Sequence, residues 1–190
     1  MSQIGGMLGT MDGCVETGDD VPLCLNPDNM FNHKESHVFP LPATSVPFVA
    51  RLSFMFDVSV IGKTNKLFSD LLMGNECISE PPKGLTWLAL RSLALRKCSH
   101  VIYKSLGERA ACITLTELHQ LLSGQQYGRL GLLPTNGRKV VCFVPIGDTV
   151  YAVECNYSTV GGWCVEAYGL NNKPKPVCAN NMVLYRGYEP

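Results

Sequence analysis

The segment FVARLSFMFDVSV, residues 48–60, carries the clearest pattern in the chain. Phe48, Ala50, Leu52, Phe54, Phe56, Val58 and Val60 are apolar at every second position, and four of the six residues between them are polar. Successive side chains of a strand point to opposite faces, so this alternation predicts a strand with one buried and one wetter face. At roughly 3.3 Å per residue it would run about 43 Å, well beyond the usual strand length. Such a strand is expected to bend, carry a bulge or extend past its own domain, with the rest of the chain packed against it.

Downstream, residues 65–73 place Leu67, Phe68, Leu71 and Leu72 at the spacing of a short amphipathic helix, with Thr64 as its N-cap and Gly74 as its stop. Residues 85–106 read as the main helix. Leu85, Leu88, Ala89, Ser92 and Leu93 fall along one side, and Trp87, Leu90, Ala94, Cys98, Val101 and Ile102 along another. So wide an apolar arc predicts burial on two sides, and Gly107 is its natural C-cap. Thr114 and Glu117 make a Thr-x-x-Glu capping box for a helix over residues 115–123, with Leu118, Leu121 and Leu122 on its core face.

The C-terminal third reads as antiparallel strands at residues 139–146, 150–157, 163–168 and 182–185, joined by turns at Gly147-Asp148 and Gly161-Gly162 and by a loop at residues 171–176. These strands either close as a small SH3-like barrel or extend the sheet of the long strand. The fold class is therefore α+β: an antiparallel sheet packed with about three helices over residues 46–190. Before it, residues 1–45 hold five glycines and four prolines with no sustained period, and read as an extended N-terminal arm.

Charge sorts by region. The net charge is zero, but residues 1–45 carry six acids and one base, whereas residues 81–139 carry nine bases and two acids. An acidic arm and a basic middle are complementary, within one chain or between chains. The candidate interaction surface is the basic side of the predicted main helix: Arg91, Arg96, Lys97 and Lys104. The same segment is an alternative contact for nucleic-acid phosphates, although only Trp87, Tyr103 and Tyr127 offer rings to stack bases.

Catalytic and cofactor signatures are missing. No G-x-S-x-G, P-loop, G-x-G-x-x-G or H-E-x-x-H occurs, and no cofactor is implied. Cys14, Cys24, His33 and His37 have the residue types of a zinc site, but their spacing departs from the tight knuckles such sites use, and no metal is read from them. There are nine cysteines, an odd count that rules out a fully paired framework within one chain and points to reduced thiols, with Cys142 and Cys98 in the core. A thiol-dependent enzyme, with His100 or His119 serving one of the cysteines, is the alternative from another class.

Met1 to Gly13 lacks the basic start of a signal peptide, and no apolar run approaches a membrane span, so an intracellular or virion location without a membrane partner is expected. The β-rich, cysteine-rich, low-charge style is compatible with a viral or phage product. Together these features favour a non-enzymatic protein that binds protein subunits, its own or others, as a structural or accessory part of a larger assembly.

Overall fold

The computed structural model describes residues 27–56, 60–74, 79–170 and 175–188. The chain enters with a helical turn, α1 (Pro27–Met30), and the strand β1 (Phe31–Leu41). Next come β2 (Phe48–Val49), a π-helical turn (Leu52–Phe56), β3 (Ile61–Thr64), α2 (Lys66–Gly74) and β4 (Ser79–Glu80). The middle holds β5 (Thr86–Leu93), β6 (Lys97–Cys98), α3 (Ser99–Leu106), α4 (Glu108–Ala111) and α5 (Leu115–Gly124). A 3-10 turn (Gln126–Gly128) leads to β7 (Val140–Ile146), β8 (Thr149–Ser158), β9 (Gly162–Gly169), β10 (Pro176–Val177) and β11 (Met182–Arg186).

Seven strands form one open sheet in the order β1-β5-β11-β7-β8-β9-β3. The consecutive strands β7, β8 and β9 form an antiparallel meander. The chain then returns to insert β11 between β5 and β7, antiparallel to the first and parallel to the second. At the far edge β3 runs parallel to β9. The sheet is thus mixed rather than wholly antiparallel, and it ends at β1 and β3 instead of closing as a barrel.

Both faces of this sheet are covered, so the fold has three layers. Leu88 and Leu90 of β5, Cys142 and Val144 of β7, Val153 of β8 and Trp163 of β9 share one face with Phe68 and Leu72 of α2 and Leu118 and Leu122 of α5. Ala89, Val141, Phe143, Ala152 and Val183 share the opposite face with Ile102 of α3 and Ala111 of α4. Burial on two sides explains why residues 86–93 are a strand and not the start of a helix. A central strand is apolar at nearly every position, and that run mimics the wide arc of a buried helix. The helix predicted over residues 85–106 therefore exists only in its second half, as α3.

The strand predicted over residues 48–60 is also replaced. Ala50 and Phe54 are buried while Leu52 between them is 61% exposed, so the burial period here is four residues and not two. Phe54 packs edge-on against Phe68 at 5.3 Å and against Phe48 at 6.1 Å. These contacts favour a tight helical turn that sends the Phe54 ring onto α2. Part of the stretch read as an arm belongs to the sheet: β1 pairs antiparallel with β5, from Phe31 opposite Leu93 to Leu41 opposite Thr86. Residues 1–26, with Cys14 and Cys24, lie outside the described residues.

Other readings hold. The C-terminal strands stand where the alternation and turns put them. The capping box is formed: Thr114 Oγ1 accepts from Glu117 N at 3.3 Å, and Glu117 Oε2 accepts from Thr114 N at 2.8 Å. A second carboxylate, Glu80 of β4, accepts from Leu115 N at 3.1 Å and Thr116 N at 2.8 Å, so α5 begins with its free N–H groups filled from a distant strand. For α2 the cap is Asn65 rather than Thr64. Asn65 Oδ1 accepts from Phe68 N at 2.9 Å and from Ala167 N at 3.1 Å, which ties the helix start to β9.

Candidate functional site

The four basic residues singled out from sequence do not form one surface unit. Arg91 lies on β5, its guanidinium 5.8 Å from the Phe31 ring and 5.9 Å from the Tyr185 ring, a cation–π clamp joining β1 to β11. Arg96 is exposed in the link after β5, Lys97 is half-buried on β6, and Lys104 is exposed on α3. Other bases of the segment are engaged inside the fold. Arg138 donates to Glu35 Oε2 at 2.8 Å and to Ser92 Oγ at 3.0 Å. This pair joins the basic middle to the stretch read as an acidic arm. The Arg138 hydrogen bond, followed by that of Ser92, holds the Glu35 carboxyl below the usual carboxylate range.

A polar network occupies the α3 side of the sheet between β8 and β9. Glu154 and Glu166 stand directly opposite each other in the register. Lys139 pairs with Glu154, and Lys175 lies 2.6 Å from Glu154 Oε2 and 3.7 Å from Glu166 Oε2. The Tyr168 hydroxyl donates to Glu166. That hydrogen bond, and then Lys175, keep the Glu166 carboxyl below its ordinary range, while burial and the Glu166 bond push the Tyr168 phenol up. Two acids balanced by two lysines, with the tyrosine locked as a donor, make a clamp for the strands and not a proton relay working near neutrality.

The two core thiols are placed against acting as nucleophiles. Cys142 and Cys155 are fully buried, and burial pushes both upward, away from the thiolate form. Cys98 sits half-buried at the β6–α3 junction, so the core position read for it is not found. His119 packs among aromatic rings, tilted on Phe48 and edge-on to Phe54, 5.4 Å from each. Among the described residues no group of three or more His, Cys, Asp or Glu is placed to hold a metal ion. Nor is any helix there long and apolar enough to cross a membrane.

The most unusual surface lies at the end of the sheet where α5 runs into β7. Gln125 is buried, and its side chain is spent on the loop that follows. Its Oε1 accepts from Leu133 N at 2.7 Å, and its Nε2 donates to Leu133 O at 2.9 Å and to Arg129 O at 3.2 Å. Trp163 Nε1 donates to Gln125 O at 3.2 Å, fixing the same point to β9. Gly131 lies so close to Gln125 that a β-carbon there would fall 2.4 Å from its side chain. Tyr127 is held at a φ of 57°, a strained value for a non-glycine residue. The loop so fixed displays apolar groups to water: Tyr127 is 70% exposed and Leu130 98% exposed. At the same end of the sheet the β8–β9 turn presents Val160, 97% exposed. That turn is pinned too, since a β-carbon on Gly62 would meet Gly161 O at 1.3 Å.

On the same side of the sheet a shallow groove of about 360 Å³ opens between residues 44–53 and α5. Its wall includes Pro47, Phe48 and His119, and its rim carries Val46 and Leu52, 67% and 61% exposed. Sequence reasoning missed both features. Leu130 and Leu132 flanked by glycines between a helix stop and a strand were the available signal, because loops ordinarily hold polar residues. No family model, no curated protein and no solved structure matches this chain.

Proposed function

We propose that the chain is a non-enzymatic, self-assembling protein, a structural or accessory part of a larger assembly. Copies join head to tail, the apolar tip of residues 126–133 with Val160 entering the apolar groove of the next copy. The observation that supports this reading is the ordered display of the tip. A buried glutamine, a strained tyrosine and a close glycine contact fix a loop that anchors Leu133 in the core and leaves Tyr127 and Leu130 facing water. Ordered apolar exposure is the usual mark of a recognition surface. A second copy is the chosen occupant because one chain carries both a projecting apolar tip and an open apolar groove. Its zero net charge sets up no long-range repulsion between copies. Tip and groove are different patches, so the contact is heterologous and builds rings or filaments, not closed dimers.

Burying Tyr127, Leu130, Leu132 and Val160 contributes about 1.5–3 kcal/mol each, offset in part by the entropy of association, so association is expected at tens of micromolar and not at nanomolar concentration. Sedimentation of the wild type should show a mass rising above the 20.8 kDa chain as concentration increases. Leu130→Asp should hold it at one chain. A wild type that stays at 20.8 kDa up to about 200 µM would reject the proposal.

A further inference from the structure

We propose that the cavity between α3 and the β7–β8 turn binds a free α-amino acid with an apolar side chain. It encloses about 500 Å³, within the size range of small-molecule sites. Its walls bring together His100, Tyr103 and Lys104 from α3 with Asp148 from the turn, over Val150 and Leu170. Among the described residues, one cation and one anion thus reach the same space from separate elements. Neither Lys104 nor Asp148 takes part in any ion pair among the described residues.

That charge layout selects the ligand. A simple acid or a phosphate would be attracted by Lys104 and repelled by Asp148, and a simple amine would meet the reverse. A zwitterion satisfies both, its carboxylate toward Lys104 and its ammonium toward Asp148. His100 is one helical turn from Lys104 and so on the same face of α3. Its Nδ1 is buried with no hydrogen-bond partner. The tautomer with the proton on Nε2 strands only a lone pair there, whereas the other tautomer strands a buried N–H. Nε2–H is then the free donor, and it serves the ligand carboxylate beside Lys104. The uncharged part of the ligand has an apolar floor in Val150, the buried Leu170 and the Tyr103 ring, which is itself propped against Phe143 at 5.3 Å. This site lies on the opposite face of the sheet from the groove and is independent of assembly.

The test is a titration of the full chain with L-leucine and L-phenylalanine, followed by amide shifts in ¹H–¹⁵N spectra. 4-Methylpentanoate and 3-methylbutylamine, which each lack one of the two charges, serve as comparison probes. The amides of His100, Asp148 and Leu170 are expected to shift with saturation in the millimolar range, and each single-charge probe should bind about tenfold more weakly or worse. Lys104→Met and Asp148→Asn sit at exposed positions and should leave the remaining spectrum unchanged, yet each should weaken leucine binding about tenfold. The proposal is overturned if neither amino acid shifts these amides at about 20 mM. It is overturned equally if either single-charge probe or inorganic phosphate binds as well as leucine, or if both variants retain wild-type affinity.

Discussion

Gln125 shows how one side chain sets the shape of a surface. All the polar capacity used by its amide is directed at Arg129 and Leu133. Gln125→Ala strands the Leu133 N–H and C=O, each worth about 1–3 kcal/mol when left unmet in a buried place. The variant is expected to melt earlier in urea and to lose hydrogen-exchange protection at Leu133 first. Unchanged protection there would mean that the loop is held by other contacts. Glu166 makes a different residue-level claim. Its folded carboxyl lies below the ordinary range because the Tyr168 hydroxyl, and then Lys175, favour the ionised form. A lowered folded value contributes stability above the unfolded value and loses it as pH falls through the folded one. Glu166→Gln should therefore destabilise the protein near neutrality, and the gap to wild type should shrink as pH drops below about 4. A gap that is constant across that window would show that the ionised carboxylate contributes nothing.

At the scale of elements, the readable parts of the sequence were those with a local cause. The β7–β8–β9 meander alternates or runs apolar between glycine turns, and α5 begins at a capping box whose two hydrogen bonds close within four residues. What could not be read depends on distant neighbours. The central strand β5 has Leu88 and Leu90 on one covered face and Ala89 and Leu93 on the other, so no period survives to separate it from a helix. The edge strand β1 keeps only Phe31, Phe39 and Leu41 in the core, and its polar run His33-Lys34-Glu35-Ser36-His37 resembles a loop. The tip left only a faint signal, Leu130 and Leu132 beside glycines, because an exposed leucine looks like a buried one until the fold is known. The π-helical turn gives the sharpest element-level prediction. A strand over residues 48–60 would bury Leu52 and Phe54 alike, whereas the turn exposes the first and buries the second. Leu52→Asp should change stability by no more than about 0.5 kcal/mol, as for other surface changes. Phe54→Asp buries an unpaired carboxylate against Phe68, at a cost of several kcal/mol, and should prevent folding. Equal loss of folding in both variants would restore the strand.

At the scale of the whole molecule, a covered three-layer sheet holds the apolar core, and half of the large exposed apolar residues among those described, Val46, Leu52, Tyr127, Leu130, Leu132 and Val160, lie at the tip and along the groove rim. The four basic residues chosen from the sequence are divided among a cation–π clamp, a strand link, a short strand and a helix. The proposed role as an assembling protein therefore rests on tip and groove. A heterologous contact has a property that a symmetric one lacks: each copy can lose one half and keep the other. Leu130→Asp removes the tip and leaves the groove, and Leu52→Asp blocks the groove and leaves the tip. The decisive measurement is the mass by sedimentation equilibrium of each variant alone and of their equimolar mixture, near 100 µM. Either variant alone is expected at the 20.8 kDa of a single chain, and the mixture is expected to form pairs of one of each and nothing larger. A mixture that remains at one chain, or variants that still assemble alone, would contradict head-to-tail assembly.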